Sequence, residues 1–286
     1  MGTDKRDRQK ANRAAKLEAE RIAAAKAKRN QTIRGLVILL VVVVVAFLLF
    51  SLTSCGSSSG SDAGGDGAAK ATTTTTAAAG GTAEASYGTG ECAPAKGTDE
   101  PVLTFDDAPK QCIDTDKTYT ATFETSEGTV VVQLDTERTP VTTNSFVNLA
   151  RSGYFDGTQL FRTEAATGII QGGSPHTQDN SDEGPGYSIP DEGMPFSSED
   201  YQPGVIAMAN AGPGTAGGQF FFVSQEAGSY LGDPDQIGPS AGLYAVFGKA
   251  TEGLDVLQKI SDLEDPAAPG TPSKPITIEK VTITES

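Results

Sequence analysis

Between residues 35 and 52 the chain reads GLVILLVVVVVAFLLFSL, eighteen positions without a charge. A helix rises ~1.5 Å per residue, so this run nearly matches a hydrocarbon core ~30 Å thick. It predicts a transmembrane helix over 35–52 and divides everything before it from everything after. The flanking charges set its direction. Residues 1–34 hold eleven Lys and Arg against four Asp and Glu; the whole chain has 22 against 37, which leaves 11 against 33 for the remainder. Basic flanks stay on the cytoplasmic side. The expectation is a protein that crosses the cell membrane once, with a basic cytoplasmic arm (1–34) and an acidic extracytoplasmic portion.

A cleaved signal with a lipid anchor at Cys55 is the alternative, because LTSC at 52–55 has the pattern of a lipidation box. The thirty-four residues ahead of the apolar run are long for a cleaved signal, which favours the uncleaved anchor. Either way the acidic portion is tethered outside the membrane. Residues 53–91, including SSSGSDAGGDG and ATTTTTAAAGG, carry almost no large apolar side chains and read as a flexible linker.

The chain has three cysteines, Cys55, Cys92 and Cys112. In an oxidising exterior the last two are natural partners, and a bridge between them would pin an extension, 92–117, that shows no clear periodicity of its own. With one histidine, His176, and no pair of cysteines two residues apart, no metal-ligand spacing exists and no metal or other cofactor is expected.

From residue 118 to 286 the pattern changes to short alternating runs. YTATFET at 119–125 sets Tyr119, Ala121 and Phe123 on one face; TVVVQL at 129–134 comes after a turn at Gly128, so the two read as a hairpin. PVTTNSFVNLARSGYF at 140–155 places Phe146, Leu149 and Ala150 on one helical stripe and stops at Gly153. Strand-like runs lie at 159–162, 168–172, 204–209, 219–224 and 243–248. A second helix is predicted over 251–263, with Thr251 as N-cap and Leu254, Leu257 and Ile260 facing inward, and PITIEKVTIT supplies a last strand. Many strands with two helices point to a mainly β barrel or sandwich rather than a doubly wound sheet.

Gly212, Gly214 and Gly217 have the G-x-G-x-x-G spacing of a dinucleotide loop. Such a loop needs a helix after the third glycine, whose N-terminus holds the pyrophosphate. The sequence after Gly217 is GQFFFVSQ, a buried-strand pattern, so a nucleotide is not expected, and neither is nucleic acid.

Three blocks carry a more specific signal: LFRTEAATGIIQGGSP at 160–175, GVIAMANAGPGTAGGQFFFV at 204–223 and YAVFGKATEGLDVL at 244–257. In their order and content they resemble the cyclophilin family of peptidyl-prolyl cis-trans isomerases, over about 118–284, in a membrane-anchored form similar to actinobacterial ones. The resemblance implies a closed eight-stranded antiparallel β-barrel capped by two helices, with a peptide groove on its outer surface. It implies that Arg162 is the catalytic arginine and that Gln171 positions both it and the substrate. Met208, Phe221 and Leu231 would wall the proline pocket; Ala209, Asn210 and Gln219 would line the peptide groove, with Tyr230 and Tyr244 at its rim. The implied substrates are Xaa-Pro segments of unfolded or exported proteins.

The sequence departs from the family pattern at several points. One extra residue lies between Arg162 and Gln171, and Gly168 falls where a pocket phenylalanine is usual; Ile169 would partly replace that ring if the extra residue were absorbed as a bulge. Tyr230 stands where tryptophan is usual and Tyr244 where histidine is common, and the loop 232–242 is longer. Weak isomerase activity and poor cyclosporin binding are the expected consequences. The alternative to an isomerase is a catalytically weak module of the cell envelope that binds proline-containing peptides. Arg162 has its own plainer reading as the ion-pair partner of Glu164.

Overall fold

A computed structural model describes residues 86–286. The expected basic arm, the transmembrane run 35–52, Cys55 and most of the expected linker lie outside the described residues. Among those described, no helix is long and apolar enough to cross a membrane.

The chain forms strands β1 (Tyr119–Thr125), β2 (Gly128–Leu134), β3 (Thr158–Gln159), β4 (Arg162–Glu164), β5 (Ile169–Gly172), β6 (Val205–Met208), β7 (Phe220–Val223), β8 (Val246–Glu252) and β9 (Thr277–Glu285). Two helices of more than one turn, α1 (Pro140–Arg151) and α3 (Leu254–Ser261), flank them; α2 (Pro234–Ile237) is a single turn between 3-10 turns in the longer 232–242 loop region. All nine strands belong to one antiparallel sheet in the order β3-β9-β1-β2-β8-β6-β7-β5-β4.

This corrects the expected closed eight-stranded barrel. The hydrogen-bonded ladder is open, a half-barrel whose two end strands are β3 and β4. The physical reason is their connection: residues 160 and 161 alone separate them, so the chain itself bridges the two ends. Leu160 N donates to Ile276 O at 2.9 Å, and Thr163 N to Gly270 O at 3.3 Å.

The opening hairpin forms as its alternation predicts. Tyr119, Ala121 and Phe123 are buried and pair with β2 on one side and β9 on the other. Phe123, Phe146, Phe155, Phe220, Phe222 and Phe247 build the aromatic centre of the core, with edge-on and tilted ring contacts such as Phe123–Phe222 at 5.2 Å. Offset and edge-on geometry is what the ring quadrupole prefers.

Helix α1 is buried on more than its apolar stripe: Thr142, Thr143, Asn144, Ser145 and Asn148 are buried too. Several of these polar groups are bonded to partners outside the helix. Thr143 Oγ1 donates to Asp135 O (2.6 Å), and Asn144 Oδ1 accepts from the backbone N–H of Cys112 (2.7 Å) and Ile113 (3.1 Å). Asn148 Oδ1 accepts from Ala93 N (2.7 Å). The helix starts with Pro at its first position and no side-chain cap from Thr139. The free N–H groups of Val141 and Thr142 are taken instead by the Glu192 carboxylate, at 3.0 and 2.9 Å. Gly153, with φ +69, ends the helix as predicted.

The second predicted helix begins later than 251. Thr251 belongs to β8, which runs 246–252 rather than 243–248, and its hydroxyl donates to Val131 O at 3.3 Å instead of capping a helix. The N-cap is Gly253, at φ +86, where a Cβ would lie 2.4 Å from Thr129 O. Leu257 and Ile260 are buried as expected, while Leu254 is 49% exposed.

Cys92 and Cys112 are bonded, with Cα atoms 5.5 Å apart. Residues just before the expected linker boundary at 91 also bond to the extension that the disulfide closes: Gly88 N donates to Pro109 O (3.1 Å) and Gly90 N to Ala108 O (2.8 Å). At the far end, Thr118 and the terminal Ser286 exchange both backbone hydrogen bonds at 3.1 Å.

Candidate active site

Strand parity decides which side chains reach the outer face. In β6 and β7, Ile206, Met208, Phe220 and Phe222 pack in the main core, while Val205, Ala207, Phe221 and Val223 belong to a second apolar cluster on the other face. The register then sets one row across adjacent strands: Arg162 opposite Gln171, Gln171 opposite Phe221, Phe221 opposite Ala207. A cation, an amide and an aromatic ring are therefore neighbours because each is the groove-facing residue of its strand.

A groove of about 480 Å³ lies over this row. Arg162, Gln171, Ala209, Asn210, Gln219, Phe221, Tyr230, Leu231 and Tyr244, all named from the sequence, line it. Met208 does not. It is buried in the core opposite Phe220, one residue out of phase with the groove face, so the expected pocket wall at Met208 is corrected. Ile169 takes part in the wall instead.

Arg162 is held from two sides. Its Nη1 donates to Gln171 Oε1 at 2.8 Å, its Nε donates to Glu164 Oε1 at 3.0 Å, and its Nη2 also meets Glu164. The expected positioning contact and the plainer ion pair thus coexist. Gln171 is buried, and its Nε2 donates to Gln219 Oε1 (2.8 Å) and Asn180 Oδ1 (2.9 Å), which fixes the carbonyl oxygen toward the guanidinium. Thr167 Oγ1 donates to the second Glu164 oxygen at 2.9 Å.

The apolar floor is Phe221, Leu231 and Ile169, each about 5% exposed or less, with Tyr244 edge-on to Phe221 at 5.6 Å. Tyr244 is fixed through its backbone: its carbonyl accepts from Tyr201 Oη at 2.8 Å. Burial, with the Glu164 charge adding to it, pushes the Tyr230 phenol above its usual range. The Asn210 side chain is occupied, donating to Leu243 O (2.7 Å) and accepting from Gly212 N (3.1 Å).

Gly168 is not a shortened pocket residue. It sits in the β4–β5 turn at φ +73, where a Cβ would come 2.7 Å from Gln225 N, and its carbonyl accepts from Ser224 N at 2.7 Å. The pairing of Arg162, Thr163 and Glu164 with Gln171, Ile170 and Ile169 shows no register shift. The extra residue therefore lies in the turn 165–168 rather than in a bulge.

The far wall was missed from sequence. Asn180, Asp182, Glu183, Tyr187, Ser188 and Thr215 also line the groove. Most of them come from an irregular loop with no periodicity, shaped by Asp182, whose oxygens accept from His176 N (2.7 Å), Thr177 N (3.1 Å) and Gly184 N (2.9 Å) and meet His176 Nδ1 at 2.9 Å. Burial alone would raise the Asp182 carboxyl; these hydrogen bonds outweigh it and hold it below the usual range. The glycine triplet lies beside this wall. Gly217 leads into strand β7, so the helix that a dinucleotide loop requires after its third glycine is replaced by a strand.

The family model of cyclophilin type peptidyl-prolyl cis-trans isomerase/CLD matches residues 120–283. A curated relative, the probable peptidyl-prolyl cis-trans isomerase B of Mycobacterium leprae, is 31% identical over 182 residues, 57% of this chain and 56% of that protein. The chain thus spans about half the length of that relative. The peptidyl-prolyl cis-trans isomerase cyp18 of Streptomyces antibioticus is 30% identical over 169 residues, covering 57% of this chain and 98% of the other. A crystal structure of a cyclophilin type peptidyl-prolyl cis-trans isomerase from Cryptosporidium parvum aligns at TM-score 0.49 and 24% identity, over 59% of this chain and 99% of that one. With its family model spanning more than half of its length, the chain belongs to the cyclophilin-type peptidyl-prolyl cis-trans isomerase family.

Proposed function

We propose that this protein catalyses cis-trans isomerisation of Xaa-Pro bonds, and that it does so on exported proteins from a domain tethered outside the membrane by the 35–52 segment. The observation that carries the reading is the row of Arg162, Gln171 and Phe221 on adjacent strands, with the guanidinium fixed 2.8 Å from Gln171 above an apolar floor.

Rotation about an amide must overcome ~18–20 kcal/mol of resonance, and no covalent bond is broken. In the twisted state the prolyl nitrogen becomes pyramidal and its lone pair localises. A guanidinium donor beside that nitrogen stabilises the twisted state more than the planar one, which is what lowers the barrier. Phe221, Leu231 and Ile169 would grip the proline ring while the Asn210 main chain and Gln219 hold the flanking peptide. Arginine stays protonated throughout, so no tuned acid or base is needed.

A second reading, a slow proline-peptide-binding module, is favoured by one contact: Glu164 compensates part of the Arg162 charge. Prolyl exchange measured by NMR on the full-length chain separates the two. Wild type is expected to accelerate exchange, and Arg162→Ala to lower kcat about a hundredfold or more while still binding peptide. Equal exchange in both at the uncatalysed rate, with binding retained, would leave the binding module.

A further inference from the structure

The disulfide-closed extension lies outside the residues the family model matches, and the structure puts it against the back of the groove's far wall. Both ends of the extension are fixed to helix α1 by buried amides: Asn148 takes the N–H of Ala93, and Asn144 takes those of Cys112 and Ile113. Between these anchors the chain runs past the end of α1, with Thr98 N on Arg151 O (3.0 Å) and Val102 N on Ser152 O (2.8 Å). It then reaches Phe105.

Three contacts join Phe105 to the wall. Its N–H donates to Pro185 O at 2.7 Å. Its ring stands edge-on to Tyr187, 6.1 Å between centroids. Its carbonyl lies where a Cβ on Gly186 would be, 2.4 Å away, and Gly186 has φ +95, so only glycine allows this approach. The front of the same segment is groove surface: Gly184, Tyr187 and Ser188 line it. The segment in turn packs on the stretch that leads into β7 and carries the Gln219 amide. A Cβ on Gly217 would meet both Pro185 Cδ and Tyr187 O at 3.3 Å, and Gln219 lies two residues further on. Tyr187 is held from the other side as well, its hydroxyl bonded to Ser145 on α1 at 3.0 Å.

We propose that the extension is a positioning element for substrate: Phe105, held in place by the Cys92–Cys112 loop, sets the wall formed by 184–188 and hence the affinity for the peptide that flanks proline. It touches neither Arg162 nor the apolar floor, so it acts on binding rather than on the rotation step. The inference rests on the isomerase reading for its kinetic form, and on peptide binding alone for its equilibrium form.

The test uses the full-length chain and a short Ala-Ala-Pro-Phe peptide, with kcat and KM from NMR exchange and Kd from chemical-shift titration. Phe105→Ala is expected to raise KM and Kd about five- to tenfold with kcat within about twofold. Reduction of the disulfide in the otherwise unaltered protein should act in the same direction. Lys274→Ala, which loosens an ion pair remote from the wall, should leave KM and Kd unchanged. Unchanged Kd in Phe105→Ala, or an equal rise in Lys274→Ala, would overturn the proposal. If wild type binds the peptide without accelerating exchange, the isomerase reading fails while the Kd series still decides this one; if wild type binds no peptide, both fall.

Discussion

Arg162, which the proposed mechanism sets beside the twisted amide, has an anionic neighbour that partly cancels its charge. Glu164 Oε1 faces two of the guanidinium nitrogens, and the pair is only partly exposed, about a third for each side chain. Charges in contact at such a site interact by ~1–4 kcal/mol in the screened surroundings of a protein surface, and by less once salt is present. Glu164→Gln keeps the shape and a hydrogen-bond acceptor but removes the opposing charge. It is expected to raise kcat about fivefold with little change in KM, read from the same exchange experiment. A fall in kcat would mean that the carboxylate's role is to hold the guanidinium in place. Residue identities at this site were legible because their order along the chain is distinctive. Their orientation was not. Met208 and Phe221 fall on opposite faces only because Met208 pairs with Phe220, and register is a tertiary fact absent from the sequence.

At the scale of elements, helix α1 owes its start to a residue fifty positions away. Val141 and Thr142 offer N–H groups at the positive end of the helix dipole, and Glu192 supplies both the acceptor and the negative charge. Glu192→Ala is expected to cost about 1 kcal/mol or more, measured as a lower urea midpoint with an unchanged slope. No change would show that water caps the helix equally well. The hairpin β1–β2 and the body of α1 were readable because their apolar spacing is local. The start of α3 was not, because Thr251 is drawn into β8 by pairing with β2, and Gly253 is required by the nearby Thr129 carbonyl. The far wall of the groove obeys the same rule: its shape comes from hydrogen bonds to Asp182 and from Phe105, and neither leaves a periodic trace.

For the whole described domain, buried and paired carboxylates set the response to acid. Glu127, almost fully enclosed, is bonded by Lys274 at 2.5 Å and Lys259 at 3.0 Å. The Lys274 and then the Lys259 contacts hold its carboxyl below the usual range against the opposing effect of burial. Asp182 is lowered as well, and so is Asp200, where hydrogen bonds from Ser197 and Arg138 outweigh burial. A carboxyl lowered by folding stabilises the native state above its unfolded pKa, about 4, and that contribution is lost as pH falls through the lower native value. The urea midpoint is therefore expected to hold from neutrality to about pH 5 and to drop below about pH 4. Lys274→Ala should make the drop shallower. Equal midpoints at about pH 6 and about pH 3 would contradict this.

The mutual hydrogen bonds of Thr118 and Ser286 make the residues that flank the start of β1 and the end of β9 next-door neighbours. In sequence terms the sheet is a ring cut at one place, and a short linker between those residues would move the cut elsewhere. A circular permutant of residues 118–286, joined by that linker and opened between the exposed Pro213 and Gly214, should regain the native sheet, checked by its far-ultraviolet circular dichroism.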